Sequence, residues 1–166
     1  MYEHIKFKNA INMRKANYDK FPSTKLTGML VQGWDSIISM LKKKMDARKV
    51  LAVDLYTGVY EEEVLDAFSK EFSGRVMNVR DLMKPEKEIQ TLTERFMTED
   101  VLFGYVTNLK LEDYLDADKV AAARKQISEA KDAIVIIGTG ASVVAPQDAM
   151  VVYADMARWE IQQRFR

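Results

Sequence analysis

Cysteine is absent from this chain and histidine occurs once, as His4. Without cysteine there is no disulfide framework, no thiol nucleophile and no thiolate metal site. A single histidine is too few to build a histidine-based zinc site. Long apolar runs are missing as well: no stretch approaches the ~20 apolar residues that span a bilayer, and residues 1–12 lack the continuous apolar core of a signal peptide. Neither sign of charge is in excess, because 25 Lys+Arg face 25 Asp+Glu. That balance disfavours a general nucleic-acid or membrane-surface binder. From these absences we expect a soluble, cytoplasmic protein with neither nucleic acid nor membrane among its partners.

What the chain has is apolar material in helix and strand rhythm. With 166 residues and 48% hydrophobic content it can bury one sizeable core. The expected organisation is an N-terminal arm or extended segment over 1–32 and a single α/β domain over 33–166. Residues 1–20 are mixed and polar, an arm or a short helix, and 21–26 read as extended because Pro22 biases the residue before it away from helix. Trp34, Ile37, Ile38, Leu41 and Met45 recur at intervals of three and four, which predicts an amphipathic helix. Lys42, Lys43 and Lys44 complement the dipole at its end. Strands are predicted over 50–55, 75–79, 133–137 and 150–154, with helices over 61–72, from Pro85 to about Phe96, and over 117–130. Residues 100–105 read as a further strand and 111–114 as a turn or short extended piece.

The runs 50–55, 133–137 and 150–154 have no polar alternation, which suits parallel strands covered on both faces. Alternating strands and helices with short links predict a three-layer α/β sandwich around a mainly parallel sheet. Ligands in such sheets collect beyond the carboxyl ends of the strands.

Three constellations lie at such ends. The first is Val53-Asp54-Leu55-Tyr56-Thr57-Gly58-Val59-Tyr60-Glu61. A phosphate-binding loop at this place needs several glycines and then Lys-Ser/Thr, so that backbone N–H groups wrap the phosphate and the lysine neutralises it. Only Gly58 is present, and Glu61, Glu62 and Glu63 satisfy the helix dipole while repelling a triphosphate. The second is Gly138-Thr139-Gly140-Ala141-Ser142, where two glycines allow N–H groups to converge and Thr139 and Ser142 add hydroxyls. A plain tight turn uses the same residues. The third is Asp155 with Arg158, Arg164 and Arg166; Asp155 is expected to cap a helix beginning at Met156. The candidate phosphate ligands are therefore Gly138, Thr139, Gly140, Ser142, Asp155 and Arg158, with no catalytic or metal-binding residue assigned.

A strand, a glycine turn, a strand ending in Asp155 and then Arg158-Trp159-Glu160-Ile161-Gln162-Gln163-Arg164-Phe165-Arg166 resemble the C-terminal half of a uridine-kinase-type P-loop kinase. On that likeness 50–55 is the P-loop strand, its glycines and lysine gone, and the fold is P-loop-kinase-like. More closely, Ala16-Asn17-Tyr18-Asp19-Lys20-Phe21-Pro22, Gly33-Trp34-Asp35, the Gly138 to Ser142 turn and Val152-Tyr153-Ala154-Asp155-Met156-Ala157-Arg158-Trp159-Glu160-Ile161-Gln162 resemble the N-terminal region of bacterial class I mannose-6-phosphate isomerases.

The resemblance implies a longer parent protein. In that family a zinc-dependent cupin domain follows this region and interconverts mannose 6-phosphate and fructose 6-phosphate. Zinc, its ligands and the catalytic base would then lie after Arg166, and no cofactor is expected in this chain. The expected partners are that cupin domain and a sugar phosphate or nucleotide. The leading expectation is a non-catalytic accessory domain. The alternatives are a small-molecule kinase-like phosphate binder, and a structural or oligomerising module with an apolar patch around Trp34 or Trp159.

Overall fold

The computed structural model describes residues 22–25, 27–45, 49–100 and 103–165. The chain divides into two compact units, Met1–Leu30 and Val31–Arg166. In the first, the described residues form neither helix nor strand, and the expectations for residues 1–20 and for Phe21 and Leu26 lie outside the described residues.

The second unit is an α/β domain. Its strands β1 (Val50–Leu55), β2 (Arg75–Asn78), β3 (Ile134–Gly138) and β4 (Met150–Ala154) form one parallel sheet in the order β2-β3-β1-β4. The two unbroken apolar runs take the centre, and β1 and β3 are buried at every position. Because side chains alternate across a strand, Leu51, Val53, Val135 and Ile137 meet helices α1 (Trp34–Met45) and α2 (Glu61–Glu71) on one face. Ala52, Ile134 and Ile136 meet α4 (Ala117–Glu129) and the four-residue α5 (Ala141–Val144) on the other. Helix α3 (Glu86–Glu94) buries no residue, and α6 (Arg158–Arg164) follows β4. The side chain of Asp116 caps α4 by accepting from the backbone N–H groups of Asp118 and Lys119 at 3.0 and 3.1 Å.

Several expectations are corrected. Strand β4 is parallel and pairs with β1, but it is the sheet edge, and Val151 and Tyr153 are 55% and 58% exposed. Its apolar run is therefore covered on one face only, since α5 is too short to shield the far side of the sheet edge. Residues 99–100 and 103–110 contain no strand; Tyr105 N–H bonds back to the carbonyl of Phe96, and Phe103, Tyr105 and Val106 are exposed. Residues 111–114 form a 3₁₀ turn. The helix after Asp155 starts at Arg158 with Ala157 as its N-cap, and the Asp155 carboxylate accepts from the N–H of Met156 instead. Trp34 packs edge-on against Phe68 at 6.5 Å, whereas Trp159 is 68% exposed.

In the two common doubly wound sheets the first strand neighbours the second. Here β3 lies between them. The connection leaving β1 runs through α2 on one face, and that leaving β3 runs through α5 on the other. The carboxyl ends of β1 and β3 thus flank a crevice where the chain departs in opposite directions, the place where such sheets hold ligands.

Candidate functional site

Asp54 is the only buried polar or charged residue among the described residues, 8% exposed at the carboxyl end of β1. Alternation places it on the α4 and α5 face, in register with Gly138 of β3 on one side and Tyr153 of β4 on the other. Its carboxylate accepts hydrogen bonds from the N–H groups of Gly140 and Ser142, both at 3.0 Å, and from the Ser142 hydroxyl. Gly140 is left-handed, φ 86°, and starts α5, so the turn curls its donors toward one point. That point is filled by the Asp54 carboxylate. The Thr139 hydroxyl also turns inward and donates to the carbonyl of Leu55 at 3.0 Å.

The loop after β1 is closed from the other side. Glu61, Glu62 and Glu63 occupy the first turn of α2. Arg80 pairs with Glu61 at 3.2 Å and Glu62 at 3.4 Å while remaining 60% exposed, so these ion pairs contribute little stability. Glu61 Oε1 is buried with no hydrogen-bond partner among the described residues. Arg164 reaches back from α6. Its Nη1 donates to the carbonyl of Gly58 at 2.6 Å, its guanidinium lies 3.9 Å over the Tyr60 ring, and its Nε bonds Glu160 at 3.2 Å. Arg164→Ala is expected to lower stability by about 1–2 kcal/mol, mostly through the loop carbonyl and the ring rather than the exposed ion pair. Urea midpoints of Arg164→Ala and Glu160→Ala separate these contributions: Glu160→Ala should cost under about 0.5 kcal/mol.

Two adjoining cavities line the carboxyl edge. One, about 430 Å³, is bounded by Glu61, Val79, Arg80, Tyr114 and Gly138, and the other, about 420 Å³, by Asp54, Tyr56, Ser142, Val151 and Tyr153; Leu111 and Thr139 border both. A larger cavity of about 750 Å³ sits at the amino end of β1. Its arginine, Arg124, is committed to the carbonyls of Val143 and Val144 at 2.8 and 3.4 Å. That leaves the carboxyl edge, with its carboxylate, hydroxyls and rings, as the better candidate.

The structure thus brings Gly138, Thr139, Gly140 and Ser142 together around Asp54. Asp155 and Arg158 border neither of the two carboxyl-edge cavities. Among the described residues no group of three His, Cys, Asp or Glu is placed to hold a metal ion, and no helix is long and apolar enough to cross a membrane.

Asp54 and Tyr56 lie in the first constellation and Arg164 in the third, yet neither they nor Tyr153 are among the ligands read from the sequence. Asp54 had a signal, being the one charge in an apolar strand; Arg164 had its spacing from Glu160. Tyr56 and Tyr153 gave none, because their pairing depends on β4 lying beside β1. The Tyr153 phenol is raised above its ordinary value of 10.0 by partial desolvation, then by the charge of Asp155 and, further down, by Tyr56 and Asp54. The phenol stays protonated at neutral pH.

A family model described as "Domain of unknown function (DUF8485)" matches residues 33–166. Neither the curated proteins nor the solved structures give a match.

Proposed function

The chain belongs to the DUF8485 family, and from that premise we propose that its α/β unit is a non-catalytic accessory domain of P-loop-kinase-like type. The observation that carries this reading is the Asp54 carboxylate, which occupies the N–H donors of the Gly138 to Ser142 turn. An anion at that turn has to displace a carboxylate held by three hydrogen bonds and overcome its charge. The turn after β1 supports the same reading, since phosphoryl transfer depends on placing cations and magnesium around the phosphoryl group. Here three glutamates stand at that position, and Arg80 neutralises two of them.

Calorimetric titration of magnesium-ATP into the protein is therefore expected to give no saturable heat near micromolar concentration. A clear isotherm that disappears on substituting Gly58 overturns the proposal.

We extend the proposal to context because residues 16–22, 33–35, 138–142 and 152–162 resemble the N-terminal region of class I mannose-6-phosphate isomerases. In that reading the domain is cytoplasmic and precedes a cupin domain, and zinc and the isomerase chemistry belong to the cupin. The gene tests this directly. A reading frame continuing into a domain with histidine and glutamate metal ligands supports it; a stop codon or an unrelated domain after Arg166 removes it.

A further inference from the structure

The smaller carboxyl-edge cavity has a one-sided chemistry. Tyr56 and Tyr153 flank it with rings 6.1 Å apart and tilted by 55°. They are held there because Tyr56 N–H continues the sheet ladder to the carbonyl of Ala154 at 3.0 Å. Asp54 forms the floor between Gly138 and Tyr153.

The hydroxyls beside it have already used their protons. Ser142 donates to Asp54 and Thr139 donates to the Leu55 carbonyl, so both offer only lone pairs to anything that enters. No lysine or arginine borders the cavity, and Arg80 and Arg164 are engaged elsewhere. The Tyr153 phenol is raised first by desolvation and then by the charge of Asp155, with Asp54 contributing last.

A carboxylate, two aromatic faces and no basic side chain suit a ligand with N–H donors and positive charge, while the hydroxyls of Thr57, Tyr56 and Tyr153 can donate or accept. Ammonium groups bind ring faces electrostatically and bond to carboxylate and hydroxyl oxygens. We propose that the cavity bounded by Asp54, Tyr56, Thr139, Ser142 and Tyr153 is a binding site for a small alkylammonium compound. The inference is independent of the accessory-domain reading, because it needs neither a nucleotide nor a second domain.

The test is an amide-resolved NMR titration of the protein with n-butylammonium chloride, n-butanol and inorganic phosphate in parallel. Saturable shifts at Gly140, Ser142 and Tyr153 with n-butylammonium, weaker as salt is raised, are the expected result. Tyr153→Leu and Tyr56→Leu should each weaken that binding at least about fivefold while the protein stays folded by circular dichroism. Both side chains are exposed, and should either variant fail to fold, Asp155→Asn serves as a further probe of the negative field and is likewise expected to weaken binding. The proposal is overturned by no saturable shift with n-butylammonium, by an equal response to n-butanol, or by saturable shifts with phosphate alone. Unchanged affinity in the folded variants also overturns it.

Discussion

Asp54→Ala is expected to lower the unfolding free energy by about 3 kcal/mol, read as a fall in the urea midpoint at constant slope. The carboxylate receives two backbone N–H groups and one hydroxyl, and hydrogen bonds to a charged group contribute about 1.5–3 kcal/mol each when taken singly. The sum is not reached, for two reasons. Asp54 gave up hydration to enter the fold, and the adjoining cavity lets water reach the abandoned donors. Asp54→Asn is informative beside it. The amide keeps the shape but turns an NH₂ toward donors, so it should cost about 2 kcal/mol. Glu62→Ala, which loses only an exposed pair to Arg80, should change stability by less than about 0.5 kcal/mol. If Asp54→Ala falls within that same range, the carboxylate does not organise the turn and the reading of a self-filled crevice fails.

The elements that were legible in the sequence are those whose burial is complete or whose periodicity is long. The runs 50–55 and 134–138 are apolar at nearly every position because helices cover them on both faces. The helical spacing of Ile38, Leu41 and Met45 matches one buried stripe. Strand β4 read as equally buried, since Met150-Val151-Val152-Tyr153-Ala154 has the same composition. Composition does not say which run lies at the edge, and that depended on a crossover of β3 past β1. Of the predicted strand 100–105, residues 101–102 lie outside the described residues, and Phe103 and Tyr105 have strand-forming side chains but are exposed and form no strand among the described residues.

The site was legible as places rather than as partnerships. The glycine turn and the acidic loop both lie at the carboxyl edge, as read from the strand ends. What occupies the turn was not readable, because Asp54 and Ser142 are 88 positions apart and meet only through the parallel pairing of β1 with β3. Arg158 and Arg164 lie six apart on different helical faces, and Arg158 is the one read with Asp155 as a phosphate ligand. Arg164 holds the loop after β1 instead, one helical turn after Glu160 and above the Tyr60 ring, and like Arg158 it borders neither cavity. Local sequence supplied the donors and charges, and topology decided which of them neutralise one another.

Gly138→Ala is the substitution that tests this topology most directly, with an expected loss of about 3–4 kcal/mol. Gly138 has φ 138°, a conformation that L side chains rarely adopt, and an added Cβ would stand 2.8 Å from Val79 Cβ and 3.2 Å from Val79 Cγ2. Val79 is 2% exposed in the core that includes Ile134, Ile136 and Val120, so it cannot swing into solvent to make room. Backbone strain of about 1–3 kcal/mol and overpacking of about 1–3 kcal/mol therefore act together. A double-mutant cycle separates them. Val79→Ala alone should cost roughly 1–3 kcal/mol by opening a cavity, yet in the Gly138→Ala background it should cost less, because alanine lacks the Cγ2 that stands 3.2 Å from the added Cβ, although it keeps the Cβ at 2.8 Å. A coupling of at least about 1 kcal/mol in that direction is expected between residues in contact. Strict additivity would show that the Val79 Cγ2 contact carries none of the loss, which then lies in backbone strain and the Val79 Cβ contact. Because Gly138 pairs with Asp54, any shift of the turn also loosens the donors that hold the carboxylate, and amide exchange at Gly140 and Ser142 should rise in Gly138→Ala before the rest of the sheet opens.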